Sequence, residues 1–95
     1  MEENLRYLVF IKRSGRKYLV FVPDFQIYTE GDTWSGAAAM AKDAITQALK
    51  TAVDEGYEAP KPSTEAEARQ TARNDADEIF DYSDGDMVAI SVYAE

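Results

Sequence analysis

Residues 5–22 read LRYLVFIKRSGRKYLVFV, in which two runs of β-branched and aromatic residues flank a charged turn that contains Gly15. Residues of these types favour strands, and a glycine between two such runs is typical of a hairpin. The sequence therefore predicts two antiparallel neighbouring strands, from Leu5 to Ile11 and from Lys17 to Val22.

Both predicted strands are apolar on both faces. Successive residues of a strand point to opposite faces. On the first strand, one face therefore carries Tyr7, Val9 and Ile11 and the other carries Leu8 and Phe10. On the second strand, Tyr18, Val20 and Val22 lie on the face opposite to Leu19 and Phe21. A sheet that is apolar on both sides needs two covers. We expect one cover from a helix and the other from a second subunit, which predicts a homodimer or a higher homo-oligomer.

Residues 22–33, VPDFQIYTEGDT, join the hairpin to the next elements. Proline lacks an amide hydrogen and ends strand pairing, and aspartate caps turns. A third strand from about Gln26 to Glu30 has an alternating pattern that predicts one exposed face. We interpret five residues of this stretch as a structural joint that stops one strand and starts a helix: Pro23, Asp24, Gly31, Asp32 and Thr33.

A long helix is predicted from Thr33 to Glu55, because small and apolar residues recur there at three- and four-residue spacing. The resulting stripe consists of Ala37, Ala41, Ala44, Ile45, Ala48, Leu49, Ala52 and Val53. Asp32 or Thr33 is suited to be the N-cap, and Gly56 to end the helix. Gly36 costs up to ~1 kcal/mol relative to alanine, so we expect a frayed or specially packed first turn.

The second half of the chain adds an extended connector, a helix and a strand. Prolines make residues 57–62 non-helical. Ser63 or Thr64 caps a second helix that runs to about Phe80 and has a thin apolar stripe, which predicts a peripheral position. The last strand runs from Met87 to Tyr93. The sequence therefore predicts an α+β fold in the order β-β-β-α-α-β, with the long helix on one face of the sheet.

We expect the fourth strand to lie parallel to the first at the centre of the sheet. A strand that follows a helical crossover usually returns parallel to the strand before it. Three antiparallel strands, a helix and a further strand are the order of a partial ribonuclease-H-like unit.

Length and charge limit the possible functions. The 95 residues suffice for a single domain, 1–95, and the apolar runs are too short to span a membrane. The acidic N-terminus lacks the basic region of a secretory signal, so we expect a cytoplasmic protein. The net charge is −8, with +3 over residues 1–23 and −11 over residues 24–95. This charge disfavours nucleic acid and suits a basic protein partner.

The residue types argue against catalysis. The chain has no Cys and no His, which removes the thiolate nucleophile and the commonest general base and zinc ligand. Two-metal nucleases draw carboxylates from central strands, but the first strand has none. The acidic residues between Asp75 and Asp86 fail the calcium-loop spacing, since counting back from Gly85 places Phe80 at the first ligand position. We therefore expect no enzyme activity, no metal and no cofactor.

Two groups of residues could bind a macromolecule. The basic hairpin tip could bind phosphates of a nucleic acid. It consists of Lys12, Arg13, Arg16 and Lys17. The alternative is a solvated turn whose charges only prevent aggregation. Trp and Tyr with polar neighbours are typical of binding hot spots. We therefore predict that partner contacts are made by Phe25, Tyr28, Glu30 and Trp34, with a purely structural Trp34 as the alternative.

Short motifs along nearly the whole chain resemble the HicB family of antitoxins. They are FVPDF at 21–25, TEGDT at 29–33, an Ala-rich helix ending in DEG at 54–56, PKPS at 60–63 and a closing hydrophobic strand. The resemblance implies a partial ribonuclease-H-like fold without nuclease activity. It also implies that the protein neutralises a small basic HicA toxin, an mRNA-cleaving ribonuclease.

Three departures from the family pattern matter. Phe25-Gln26-Ile27-Tyr28 stands where the family commonly has Leu-Pro-Gly-Cys, and Gly36 stands where a capping-box Glu is frequent. Many members continue into a DNA-binding module, whereas this sequence ends at Glu95, so we expect no direct DNA binding. Two hypotheses remain: an antitoxin that occludes a basic toxin, or a stand-alone homo-oligomeric binding module without a toxin partner.

Overall fold

The computed structural model describes residues 3–76 and 81–94, and the side chains of residues 5–76 and 81–92. It confirms the α+β class and the order of the elements. These are β1 (Glu3–Ser14), β2 (Lys17–Val22), β3 (Ile27–Gly31), α1 (Trp34–Glu55), α2 (Glu65–Asp75), a 3-10 turn (Tyr82–Asp84) and β4 (Asp86–Ala94).

The four strands form one antiparallel sheet in the order β3-β2-β1-β4. The predicted hairpin is confirmed, with Phe10 opposite Phe21 and Ser14 opposite Lys17. Gly15 takes a positive φ of 62° in the turn, which glycine adopts at little cost. Along β3, Tyr28 and Glu30 are exposed and Ile27 and Thr29 are half-buried, as the alternation predicted, whereas Gln26 lies in the turn before the strand.

The prediction for the fourth strand is wrong. β4 lies at an edge of the sheet and runs antiparallel to β1, from Glu3 opposite Ala94 to Ile11 opposite Asp86. The parallel rule applies to a single crossover. Here two helices lie between β3 and β4, so α1 carries the chain along one face of the sheet and α2 carries it back along the other.

The main core lies between α1 and the first face of the sheet. Tyr7, Val9 and Val20 are fully buried there against Ala37, Ala41 and Ile45 of α1. Small alanines let the helix approach the strands closely, and the buried positions of α1 follow the predicted stripe. Val53 departs from that prediction because its side chain is 66% exposed.

The second face of the sheet is covered by α2 of the same chain, which corrects the expectation that another subunit provides this cover. Phe10 and Phe21 are buried beneath Ala68 and Ala72. Thus α2 is a packing layer and not merely peripheral. It ends at Asp75, earlier than the predicted end near Phe80, and residues 77–80 lie outside the described residues.

Two contacts fix the connector between the helices. The Tyr7 hydroxyl donates to the carbonyl oxygen of Pro60 at 2.7 Å. Both carboxylate oxygens of Asp24 accept hydrogen bonds from Ser63, one from its backbone N–H at 3.0 Å and one from its hydroxyl. Asp24 therefore holds the start of α2 against the end of β2, a different role from the turn cap that its sequence position suggested.

The helix ends follow the capping rules. Thr33 is the N-cap of α1, and Gly56 ends this helix with a φ of 74°. The Gly36 N–H donates to Thr33 Oγ1 at 2.9 Å, and a Cβ at Gly36 would lie 2.9 Å from that oxygen, so the first turn is specially packed. Thr64 and Glu67 form a capping box on α2. Within the described residues, neither helix is long and apolar enough to cross a membrane.

Candidate functional site

Tyr28 is the most exposed aromatic side chain on the second face of the sheet. Its ring is 54% exposed and stacks on Phe21, with 5.1 Å between ring centroids. Tyr82 lies next to it at 6.1 Å. The Tyr28 hydroxyl donates a hydrogen bond to the carboxylate of Asp75, the last residue of α2. An aromatic ring is thereby held in a fixed orientation at the surface, between β3 and α2.

The carboxylate of Asp75 changes the titration of both tyrosines. The hydrogen bond from Tyr28 to Asp75 raises the Tyr28 pKa to about 12, with smaller contributions from burial and from the Asp75 charge. Burial raises the Tyr82 pKa, and the negative charge of Asp75 adds to the effect. Both hydroxyls therefore stay protonated at neutral pH and can act as hydrogen-bond donors.

The chain segment that contains Asp75 and Tyr82 is rich in acidic residues. The segment from residue 75 to residue 86 contains six acidic residues and no basic one. Within it, Asp81 accepts hydrogen bonds from the hydroxyl and the N–H of Ser83, which lower the Asp81 pKa. Asp84 forms an ion pair with Lys12 at 2.6 Å. We define the acidic aromatic surface as Tyr28, Glu30, Asp75, Asp81, Tyr82 and Asp84.

Tyr28 and Glu30 are the two predicted contact residues that the structure brings together, because they occupy alternate positions of β3 and both are exposed. Phe25 lies on the other face of the sheet, where its ring packs against Tyr7 at 5.0 Å. Trp34 begins α1, and its indole Nε1–H donates to Asp86 at 3.0 Å, so it ties the helix start to β4.

The residues interpreted as a joint lie at element boundaries. Pro23 follows β2 and accepts a hydrogen bond from the Gln26 N–H at 3.3 Å. Gly31 ends β3. A Cβ at this position would lie 2.4 Å from the backbone nitrogen of Ala37, so only glycine lets α1 pack this close to the strand. Asp32 pairs with Lys17 at 2.6 Å, which raises the lysine pKa and lowers that of the aspartate.

A second surface, which the sequence reasoning missed, is a groove between β1, the end of α1 and the connector. Its volume is about 580 Å³. Val53 and Tyr57 line it and are 66% and 53% exposed. The other apolar lining residues are Leu5, Tyr7, Leu49, Ala52, Ala59, Pro60 and Pro62. The sequence feature that could have indicated this groove is the pair of apolar residues Val53 and Tyr57 on either side of Gly56, which ends the helix.

The two surfaces offer charge, aromatic area and shape to a binding partner. Among the described residues, no group of three or more Asp, Glu, His or Cys side chains could hold a metal ion. In the same part of the chain, every buried side-chain nitrogen or oxygen has a hydrogen-bond partner.

Comparisons with known proteins give one consistent result. The family model described as "HicB_like antitoxin of bacterial toxin-antitoxin system" matches residues 7–94. The chain is also similar to Antitoxin HicB 2 from Photorhabdus laumondii subsp. laumondii, with 38% identity over 69 residues. That match covers 72% of this chain and 50% of the relative, so the chain spans about half the length of the curated relative it matches. A search of solved structures found no significant match.

Proposed function

This chain belongs to the HicB-like antitoxin family of bacterial toxin-antitoxin systems, and from that membership we propose that it binds and neutralises a small basic toxin of the HicA type. In this proposal the toxin cleaves mRNA in the cytoplasm, and the antitoxin acts without catalysis by covering the toxin surface that RNA would occupy.

The observation that supports this mode of action is the exposed ring of Tyr28, which lies beside Asp75 and Tyr82 of an acidic part of the chain. A toxin that binds RNA needs cationic side chains for the phosphates. Carboxylates at Asp75, Asp81 and Asp84 would meet those cations, while the Tyr28 ring supplies a rigid apolar contact at the centre. Tyrosine is enriched among residues that dominate binding energy because it buries much area and loses little side-chain entropy.

The charge of the chain also disfavours one class of partner, nucleic acid. The net charge of −8 opposes contact with nucleic acid phosphates, so the proposal includes no direct DNA contact by this domain. Complementary charge speeds the encounter with a basic protein, and this acceleration weakens as salt screens the charges. Association with the toxin should therefore slow as ionic strength rises.

The test is inhibition of RNA cleavage by the product of a small basic reading frame adjacent to this one. The wild-type chain should form a defined complex with that protein and stop cleavage. Tyr28→Ala should weaken inhibition at least tenfold, since truncation of a hot-spot tyrosine costs about 2 kcal/mol or more. Tyr57→Ala is the matched control, because Tyr57 is equally exposed but lies in the groove.

Each result has a distinct meaning. Loss of inhibition by Tyr28→Ala alone supports the acidic aromatic surface as the toxin site. Loss by Tyr57→Ala alone would move the site to the groove and contradict the surface proposed here. If the wild-type chain neither binds the basic protein nor inhibits it, the antitoxin proposal for this pair is wrong.

A further inference from the structure

A small polar pocket lies beside the acidic aromatic surface, between the turn that precedes β3 and the last turns of α2. Its volume is about 350 Å³. Gln26 forms the wall on the side of the turn, and Thr71, Asn74 and Asp75 form the wall on the side of α2. Residues three and four positions apart lie on one face of a helix, so these three residues of α2 line the pocket together. Phe21, which is buried beneath α2, provides an apolar floor.

The polar side chains of this pocket retain free hydrogen-bonding capacity. Asp75 accepts a hydrogen bond from Tyr28, and among the described residues it forms no ion pair. The Thr71 hydroxyl donates to the carbonyl oxygen of Glu67, which leaves its lone pairs free to accept. In the same part of the chain, the side-chain amide of Gln26 has no hydrogen-bond partner. The pocket therefore offers several acceptors and one negative charge to a bound group.

Gln26 is held in an unfavourable backbone conformation. Its φ is 52°, and among the described residues it is the one residue other than glycine with a positive φ. This left-handed region favours glycine, so a long side chain at this position lowers the stability of the turn. Residues in such conformations concentrate at sites that bind ligands or partners. We therefore expect the side chain of Gln26 to contribute something other than stability.

We propose that this pocket receives one arginine side chain of the basic toxin, and that Gln26 and Asp75 select it. The inference rests on the proposed function, because it identifies a chemical group of the same partner. A guanidinium is planar and carries five N–H donors, so it can bind acceptors on both walls of the pocket at once. The carboxylate of Asp75 balances the positive charge. The pocket also lies at the C-terminal end of α2, where the helix dipole favours a cation.

Other occupants fit the pocket less well. A lysine ammonium is a compact charge with three donors and cannot bind two walls in one plane. A phosphate or carboxylate group would meet the charge of Asp75 with no cation to balance it, since the other polar lining residues are neutral. Among the described residues, no cluster of acidic side chains is suited to hold a metal ion. The exposed ring of Tyr28, which bonds to Asp75, also favours a guanidinium, because this group stacks on aromatic faces.

The first experiment measures, by calorimetry, the affinity of the chain for the product of the adjacent small basic reading frame. Asp75→Asn removes the charge but keeps an oxygen that can accept from Tyr28. It should weaken binding at least about tenfold, because the guanidinium loses its charged partner. Asp43→Asn is the matched control, since Asp43 is exposed on α1, which covers the other face of the sheet. This control removes the same charge and should change the affinity less than about twofold.

Gln26→Gly separates recognition from stability. Glycine removes the side-chain amide and accepts the positive φ, so the urea midpoint of this variant should equal or exceed that of the wild-type chain. Its affinity for the basic protein should nevertheless fall about tenfold, as for a lost hydrogen bond to a charged group. A Gln26 side chain with a merely structural role would instead give a lower urea midpoint.

Arginine-to-lysine substitutions in the basic protein, made one at a time, identify the side chain that enters the pocket. One of them should weaken binding to the wild-type chain about tenfold but have little effect on binding to Gln26→Gly. Such non-additivity is expected of two residues in direct contact, whereas residues that do not touch give additive losses.

The outcomes separate this proposal from the proposed function. If the wild-type chain binds the basic protein, and neither Gln26→Gly nor Asp75→Asn weakens the complex, the pocket proposal is wrong and the antitoxin proposal stands. Additive losses for every arginine-to-lysine variant would also overturn it. If the wild-type chain does not bind the basic protein, the antitoxin proposal fails for this pair.

The pocket is then judged without the basic protein, by titration of the wild-type chain with N-acetylarginine amide. The side-chain NH₂ signals of Gln26 and Asn74 report on binding in nuclear magnetic resonance spectra. Shifts that N-acetyllysine amide does not produce, and that Asp75→Asn abolishes, would support an arginine pocket. Equal shifts with both compounds, or no shift with either, would overturn it.

Discussion

Tyr28 of β3 donates its hydroxyl to Asp75, so a residue of the sheet edge is linked to the end of the helix that covers the second face. The two residues are 47 positions apart in the sequence. This single contact fixes the orientation of the exposed ring and the position of the first carboxylate of the acidic segment. The candidate surface depends on both.

We expect Tyr28→Phe to lower the free energy of unfolding by about 0.5 kcal/mol, at the low end for a net hydrogen bond because the pair is exposed. The ring and its stacking on Phe21 are retained, so the loss reports on the hydroxyl. Urea unfolding measures the change. Tyr57→Phe is the control, because among the described residues the Tyr57 hydroxyl has no hydrogen-bond partner. Equal losses in the two variants would show that the bond to Asp75 contributes nothing.

Alkaline titration should reveal the same contact. The folded-state pKa of Tyr28 is raised to about 12 from the ordinary value of 10.0, so the protonated form is favoured in the folded state. Its contribution to stability is complete below pH 10 and disappears as the pH rises through about 12. Tyrosinate absorbance of the wild-type chain should include a late-titrating group that Tyr28→Phe lacks. A variant with the unchanged titration curve would refute the assignment.

Gly31→Ala should unfold the chain far more readily than Gly15→Ala. A Cβ at position 31 would lie 2.4 Å from the backbone nitrogen of Ala37, and α1 must shift away from β3 to accommodate it. We expect a loss of about 3 kcal/mol, the upper range for overpacking. At Gly15 the added Cβ meets nothing within 4 Å, so only the positive φ matters, at about 1 kcal/mol. Thermal and urea unfolding of the two variants would rank them, and the reverse order would contradict the close approach of α1 to β3.

Acid should weaken the start of α2. The Thr64 N–H donates to the Glu67 carboxylate at 2.9 Å, and this bond lowers the Glu67 pKa. A lowered folded-state pKa gives stability that is present above the unfolded value of about 4.3 and is lost as the pH falls through the folded value. The wild-type chain should therefore be more stable than Glu67→Ala at neutral pH, and the difference should shrink in acid. A difference that is constant with pH would mean that the carboxylate charge plays no part.

Local rules predicted the parts of the fold that local residues determine. The alternation around Phe10 and Phe21 assigned the strand faces, and Thr33 and Gly56 marked the ends of α1. The direction of β4 was not accessible in this way, because it depends on which face α2 occupies. The residues by which α2 packs on the second face are Ala68 and Ala72. In the sequence, these two alanines among polar residues are also what a helix exposed at the surface would have.

The candidate site was predictable in part. Tyr28 and Glu30 stand out as an aromatic and a charged residue at exposed strand positions. Their partner Asp75 could not be identified, since no spacing rule connects β3 with the end of α2. Phe25 resembled a surface aromatic residue because its neighbours are polar, but the turn directs it toward Tyr7 in the core.

The pairing of β1 with β4 joins residues 75 to 91 positions apart, from Ile11 with Asp86 to Glu3 with Ala94. Contacts between such distant segments slow folding, because a long loop must close before the pairing stabilises the chain. During synthesis at about 5–20 residues per second, β1 therefore spends several seconds as an unpaired edge after the hairpin has formed. Any molecule that binds that edge in this interval would compete with β4 and could trap the new chain before its sheet is complete.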